Sequence, residues 1–166
     1  NGAFTVGGSG SHKTVEEAIK AVPAKADGFR YIKFSDIDVG TSAAVISVNV
    51  AACGNIKSAN TTTNEGTIVV ADGATFVYYD GNITNNAVGY GIYARNNTKL
   101  VLVGGNIVSK SVGIGIAGQC YFTSFGGTVT ANSDALRITS ASTTEIYGGN
   151  YTGGARGTYV GNSGAE

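Results

Sequence analysis

Methionine and tryptophan are absent from this chain, and a single proline and a single histidine punctuate its 166 residues. With His12 as the one imidazole, a His-rich metal centre and a Ser-His-Asp triad are both poor readings. Two cysteines, Cys53 and Cys120, cannot build a disulfide scaffold or a four-ligand zinc site. Charge is scarce as well, at 13 % of residues, about half the usual share. It balances to a net charge of zero without basic clusters, which argues against a nucleic-acid partner. No apolar run reaches the ~18 residues that span a bilayer, so membrane insertion is not expected. Nothing in the composition calls for a cofactor. The length fits one domain, and 42 % hydrophobic residues suffice for a core.

Glycine is abundant, with 26 residues, and it marks a repeat. Gly54-Asn55-Ile56, Gly81-Asn82-Ile83, Gly105-Asn106-Ile107 and Gly149-Asn150-Tyr151 share one pattern, with Gly127-Thr128-Val129 as a variant. The glycines are spaced 27, 24, 22 and 22 residues apart. Aligned on them, apolar stripes appear: Phe76, Leu100, Phe122 and Thr144; Tyr78, Leu102, Ser124 and Ile146; Ile83, Ile107, Val129 and Tyr151. Further along fall Tyr90, Ile114, Leu136 and Thr158, then Ile92, Ile116, Ile138 and Val160. Within each repeat apolar residues alternate in short bursts, which is strand periodicity. Three short strands per turn of about 22 residues predict one rung of a right-handed parallel β-helix, with rungs stacked ~4.8 Å apart. About six rungs are expected over residues 30–166.

Residues 1–29 do not carry the repeat and read as an N-terminal cap of strand, loop and helix. Val15, Ala18, Ile19 and Val22 recur at helical spacing behind Thr14 as N-cap, Glu16 and Glu17 load the first turn, and Pro23 ends the helix. Such a helix would cover the open end of the solenoid. The strand, the glycine-rich loop and Lys13-Thr14 follow the order of a phosphate loop, but His12 stands where that motif needs glycine. The stretch Gly8-Ser9-Gly10-Ser11-His12-Lys13-Thr14 through Ala21-Val22-Pro23 resembles the cap of pectin methylesterases, within the pectate-lyase-like β-helix superfamily. That resemblance implies the fold. The esterase's catalytic Asp, Gln and Arg motifs find no counterpart, nor does the acidic calcium cluster of pectate lyases. The later repeats resemble non-catalytic bacterial surface and phage tail β-helices.

Asn55, Asn82, Asn106 and Asn150 follow the bend glycines, where amides can bond from rung to rung as a ladder. A row of polar ligands for a sugar or ion is the functional alternative. Asp36 and Asp38, two apart on an expected strand, would share a face as a weak catalytic or calcium pair. The alternative is a solvated turn. Arg137 points outward between Leu136 and Ile138, in a column expected to hold Gly91, Gly115 and Tyr159, with Asp134 and Glu145 within a rung. It could contact an acidic sugar or form a surface ion pair. Tyr79, Val103, Phe125 and Tyr147 fall in one column beside the bend. Turned outward, they would suit sugar rings or a protein partner; turned inward, they would form a core stack. Tyr93, Tyr121 and Tyr159 are further outward candidates.

Two extra residues of the repeat 81–104 are expected near Ala94–Thr98, exposing Arg95, Asn96 and Asn97, and the excess of the repeat before it at 58–64. Cys53 and Cys120 lie about three rungs apart, too far for a disulfide, so free thiols are expected. Four Asn-x-Ser/Thr matches, at Asn60, Asn82, Asn96 and Asn150, read as structural. The ends, without an initial Met or a closing cap, suggest a module of a longer chain whose last rung more chain or a partner would cover. The expected function is therefore a non-catalytic module of a secreted, cell-surface or phage tail protein. It would bind a glycan or host receptor or act as a rigid stalk, with homotrimers as in phage fibres possible. A polysaccharide lyase or hydrolase is the alternative. An ice-binding face ranks last, since no regular Thr-x-Thr ladder spans the rungs.

Overall fold

The computed structural model describes residues 4–7 and 10–161. Gly8 and Ser9 of the glycine-rich loop, Asn1–Ala3 and residues 162–166 lie outside them.

The chain is a parallel β-solenoid. A strand, β1 (Phe4–Val6), and one helix, α1 (Val15–Ala21), precede it. The first turns use β2 (Arg30–Asp38), β3 (Ala44–Ile46), β4 (Val50–Ser58) and β5 (Gly66–Val70). The next add β6 (Thr75–Tyr78), β7 (Asn82–Asn85) and β8 (Tyr90–Arg95), then β9 (Lys99–Leu102), β10 (Asn106–Ser109) and β11 (Ile114–Ala117). The last are β12 (Tyr121–Ser124), β13 (Thr128–Ala131) and β14 (Asp134–Thr139), then β15 (Thr143–Ile146), β16 (Asn150–Gly153) and β17 (Arg156–Gly161). Every pairing is parallel between successive turns, and one face holds six strands, β3-β5-β8-β11-β14-β17, so the solenoid has about six turns.

The other two faces join through β4. Its start pairs with β6 and its end with β7, with the bend at Gly54 between them. From β6 onward each turn breaks this strand in two at a glycine of positive φ. At Gly81 (φ +110°) a Cβ would collide with the Gly54 carbonyl of the turn above. Only glycine allows both the bend and the close stacking there.

Like stacks on like along the interior. Val50, Phe76, Leu100, Phe122 and Thr144 form one first-face column, and Ile56, Ile83, Ile107, Val129 and Tyr151 form the second-face one. These are the stripes expected from the sequence. The third face differs by two residues in one turn. Ile92 stands over Ile114 and Leu136, and Ala94 over Ile116 and Ile138, so Tyr90 and Ile92 are not in the columns expected for them. Asn85 to Ile92 spans seven residues where Ser109 to Ile114 and Ala131 to Leu136 span five. The extra pair thus precedes β8, in the turn 86–89, not near Ala94–Thr98. The excess of the preceding turn does fall in the loop between β4 and β5.

Helix α1 begins with a capping box. The Glu17 amide donates to Thr14 Oγ1 (3.1 Å), and Glu17 Oε2 accepts from the Thr14 and Lys13 amides. Val15, Ala18 and Val22 join the core with Val6, Ile32 and Ile46. Strand β1 adds to β2, so this helix and strand pack onto the first turn.

Candidate functional site

Tyr79, Val103, Phe125 and Tyr147 each stand one residue past a first-face strand, and each amide still bonds the turn above. That keeps them in the strand's alternation, opposite in sense to buried Tyr78, Leu102 and Ser124, and so they point outward. Exposure is 47 % at Tyr79 and 37 % at Val103, then 56 % at Phe125 and 68 % at Tyr147. The open question of its direction is settled: the column is a surface feature. Phe125 and Tyr147 stack with centroids 5.4 Å apart and planes 10° from parallel. Their facing sides are therefore engaged with each other, and the ridge offers ring edges plus the outer face of Tyr147. Tyr121, 56 % exposed, lies on the same face.

Across the glycine bend runs the asparagine column. Asn82 Nδ2 donates to Asn55 Oδ1 (3.0 Å), and Asn106 Nδ2 to Asn82 Oδ1 (3.2 Å). The ladder starts one turn earlier than expected, because Asn55 Nδ2 donates to Asp36 Oδ1 (2.8 Å). Asn150 stands below Thr128 in the same column but makes no amide bond to it. A shallow cleft of about 270 Å³ follows the ladder head, lined by Asp36, Asn55, Lys57, Asn82 and Thr84.

Asp36 and Asp38 are not a matched pair on one strand face. The β2–β4 register shifts between Phe34 and Ile37, and Asp36 sits at φ +53°, turned onto the corner. Asp38 instead accepts from the Gly40 amide (2.9 Å) and pairs with Lys57 (3.4 Å). The Gly40 hydrogen bond, then Lys57, holds its carboxyl below the ordinary value.

Arg137 lies outward on the third face below Gly115 and above Tyr159, with Tyr93 rather than Gly91 next above Gly115 in its column. Its partner is the fully buried Asp134: Nε donates to Oδ2 at 2.7 Å. Arg156 clasps the same carboxylate, with Nε on Oδ1 (2.7 Å) and an Nη on Oδ2 (3.1 Å). Burial pushes the Asp134 carboxyl up, but the hydrogen bonds from Arg156 and Arg137 outweigh it and hold it below the ordinary value. Arg137 also donates to the Tyr90 hydroxyl and Ser133 Oγ, and Tyr90 donates on to Asn64. The Tyr90 ring lies across Gly115, where a Cβ would collide with it. Glu145 is elsewhere, exposed on β15 of the first face, so the expected Arg137–Glu145 neighbourhood does not form.

The sequence reading missed Arg156 and the packing of Tyr90 over Gly115 beside Arg137. Arg156 follows Asp134 by one repeat and stands beside it in the β14–β17 register, and that 22-residue spacing was the available signal. Arg95 is half-buried and Asn96 and Asn97 are exposed turn residues of positive φ. Cys53 and Cys120 are free thiols, and Asn60 is buried. Among the described residues no helix is long and apolar enough to cross a membrane, and no cluster of three or more His, Cys, Asp or Glu could hold a metal ion. Comparison with protein-family models, with curated proteins and with solved structures returned no match.

Proposed function

We propose that this chain is a non-catalytic β-solenoid binding module of a secreted, cell-surface or phage tail protein, with a glycan or a host receptor as its ligand. The observation that carries the reading is the exposed column Tyr79, Val103, Phe125 and Tyr147. Contiguous exposed aromatics on a rigid sheet are costly to leave wet and typify interaction surfaces. Beside them the amide ladder offers hydrogen-bonding groups, so an extended ligand along the corner would meet apolar edges and amides together.

Kinship with the pectate-lyase-like superfamily, drawn from the cap stretch Gly8–Pro23, accords with the parallel solenoid. Lyase or hydrolase chemistry has less support. Asp36 is engaged at the ladder head and Asp38 with Gly40 and Lys57, so neither carboxylate is paired with the other as acid and base. Homotrimerisation or stacking on further rungs belongs to the same proposal, since parallel edge strands favour such covering.

The test is a glycan-array screen read both by retention and by release of reducing ends. Retention without release supports the binding module. Release identifies an enzyme and overturns the reading. Silence in both leaves a rigid stalk.

A further inference from the structure

A second surface lies on the third face, separated from the aromatic column by the second face, and it stands independently of the glycan reading. Two guanidinium groups there share one carboxylate. Arg137 is tied through all three of its nitrogens, to Asp134, the Tyr90 hydroxyl and Ser133. Arg156 is held differently. It approaches Asp134 side-on, through Nε and one Nη, which engages two of a guanidinium's five N–H donors. The remaining donors belong to the far edge of the group.

Asp134 is fully buried, while the Arg156 side chain is 47 % exposed, so solvent reaches this arginine although its carboxylate partner is shut away from it. The guanidinium is also braced from one side, with its central carbon 3.8 Å from the centroid of the Tyr159 ring. An arginine fixed along one edge and one face keeps little rotamer freedom, so a ligand meets a preorganised fork. Charge points the same way. Two cations against one buried anion leave an excess of one positive charge, and no other carboxylate contacts either arginine among the described residues.

We propose that the free edge of Arg156, set by Asp134 and Tyr159, binds an oxyanion, the carboxylate, sulfate or phosphate group of a ligand. Two parallel N–H donors fit two oxygens of such a group, a geometry that ammonium groups do not offer. Arg137 acts as a positioning residue. It supplies the second charge and keeps Asp134 anchored, with three of its own five donors engaged.

The experiment titrates the isotopically labelled chain with inorganic sulfate, inorganic phosphate and glucuronate in separate arms, following the Arg156 Nε–H and the amides of residues 156–159 by NMR. Saturable one-to-one shifts in at least one arm are expected, and the arm that binds tightest identifies the anion. Arg156→Gln should weaken that binding by about tenfold or more, the equivalent of losing a charge-assisted hydrogen bond. Arg156→Lys, which keeps the charge but loses the fork, should lose most of it too. Because Arg156 is half exposed, both variants should stay folded, which a circular dichroism melt checks. Absence of saturable shifts in all three arms, or undiminished binding by Arg156→Gln, would overturn the site. Full binding by Arg156→Lys would overturn the bidentate geometry.

Discussion

The Asn55 side-chain amide donates to the carboxylate of Asp36 at 2.8 Å, so an acidic residue heads the asparagine ladder. Every amide in the run donates toward Asp36: Asn106 to Asn82, Asn82 to Asn55, Asn55 to Asp36. Aligned amides leave a partial positive end, and a carboxylate is the natural cap for it, as at the start of a helix. Asp36→Ala should therefore cost about 1 kcal/mol, the worth of one exposed charge-assisted hydrogen bond. Asp36→Asn keeps an acceptor and tolerates positive φ, and should cost less than half of that. Urea unfolding of the two variants checks the order. Equal losses would show that the ladder is indifferent to its head.

Leu102 and Val103 are neighbours in sequence and opposites in space. Leu102 is fully buried, while Val103 is 37 % exposed. Leu102→Ala should cost about 3 kcal/mol through the cavity it leaves. Val103→Ala should stay within about 0.5 kcal/mol. Chemical denaturation of both measures the facing of the corner directly, and similar losses would contradict it.

Asp134 links stability to pH. Its carboxyl lies below the ordinary value in the folded chain, so the unfolded chain binds that proton more readily. The stabilisation is complete above the unfolded value near pH ~3.9 and is lost as pH falls through the lower folded value. Asp134→Asn should cost about 3 kcal/mol at neutral pH, because two arginines lose a buried partner. The difference from the parent chain should shrink on acidification below about pH 4. Melts across that range would show it, and a constant difference would contradict the assignment.

The Phe125–Tyr147 stack predicts coupling between adjacent rungs. A double-mutant cycle with alanine at both positions should give an interaction of about 0.5–1.5 kcal/mol. Additive losses would mean that the two rings merely lie near each other.

Much of this architecture is written in the chain. The stripes at Phe76, Leu100 and Phe122 and at Ile83, Ile107 and Val129 fall where glycine register puts them, because the spacing between bend and flanking strands is constant in those turns. The third face slipped by two residues in one turn for a physical reason. A strand repeats every two residues, so Tyr90 and Ile92 fit the same inward stripe equally well on pattern. Only packing decides: the Tyr90 ring is buried across Gly115 on the third face, with its hydroxyl between Arg137 and Asn64. Asp36 was hidden by the β2 irregularity, which takes it out of the glycine register. The direction of the Tyr79–Tyr147 column was also ambiguous, since a bend can break alternation; here the backbone ladder continues one residue past the strand and preserves it.

The most direct test of the proposed binding role compares the parent chain with a Phe125→Ala, Tyr147→Ala double variant on the same glycan and receptor surfaces, after confirming that both remain folded. The account predicts retention by the parent, no release of reducing ends, and loss of most of that retention in the variant. Equal retention by the two proteins would contradict the claim that the exposed aromatic column is the binding surface.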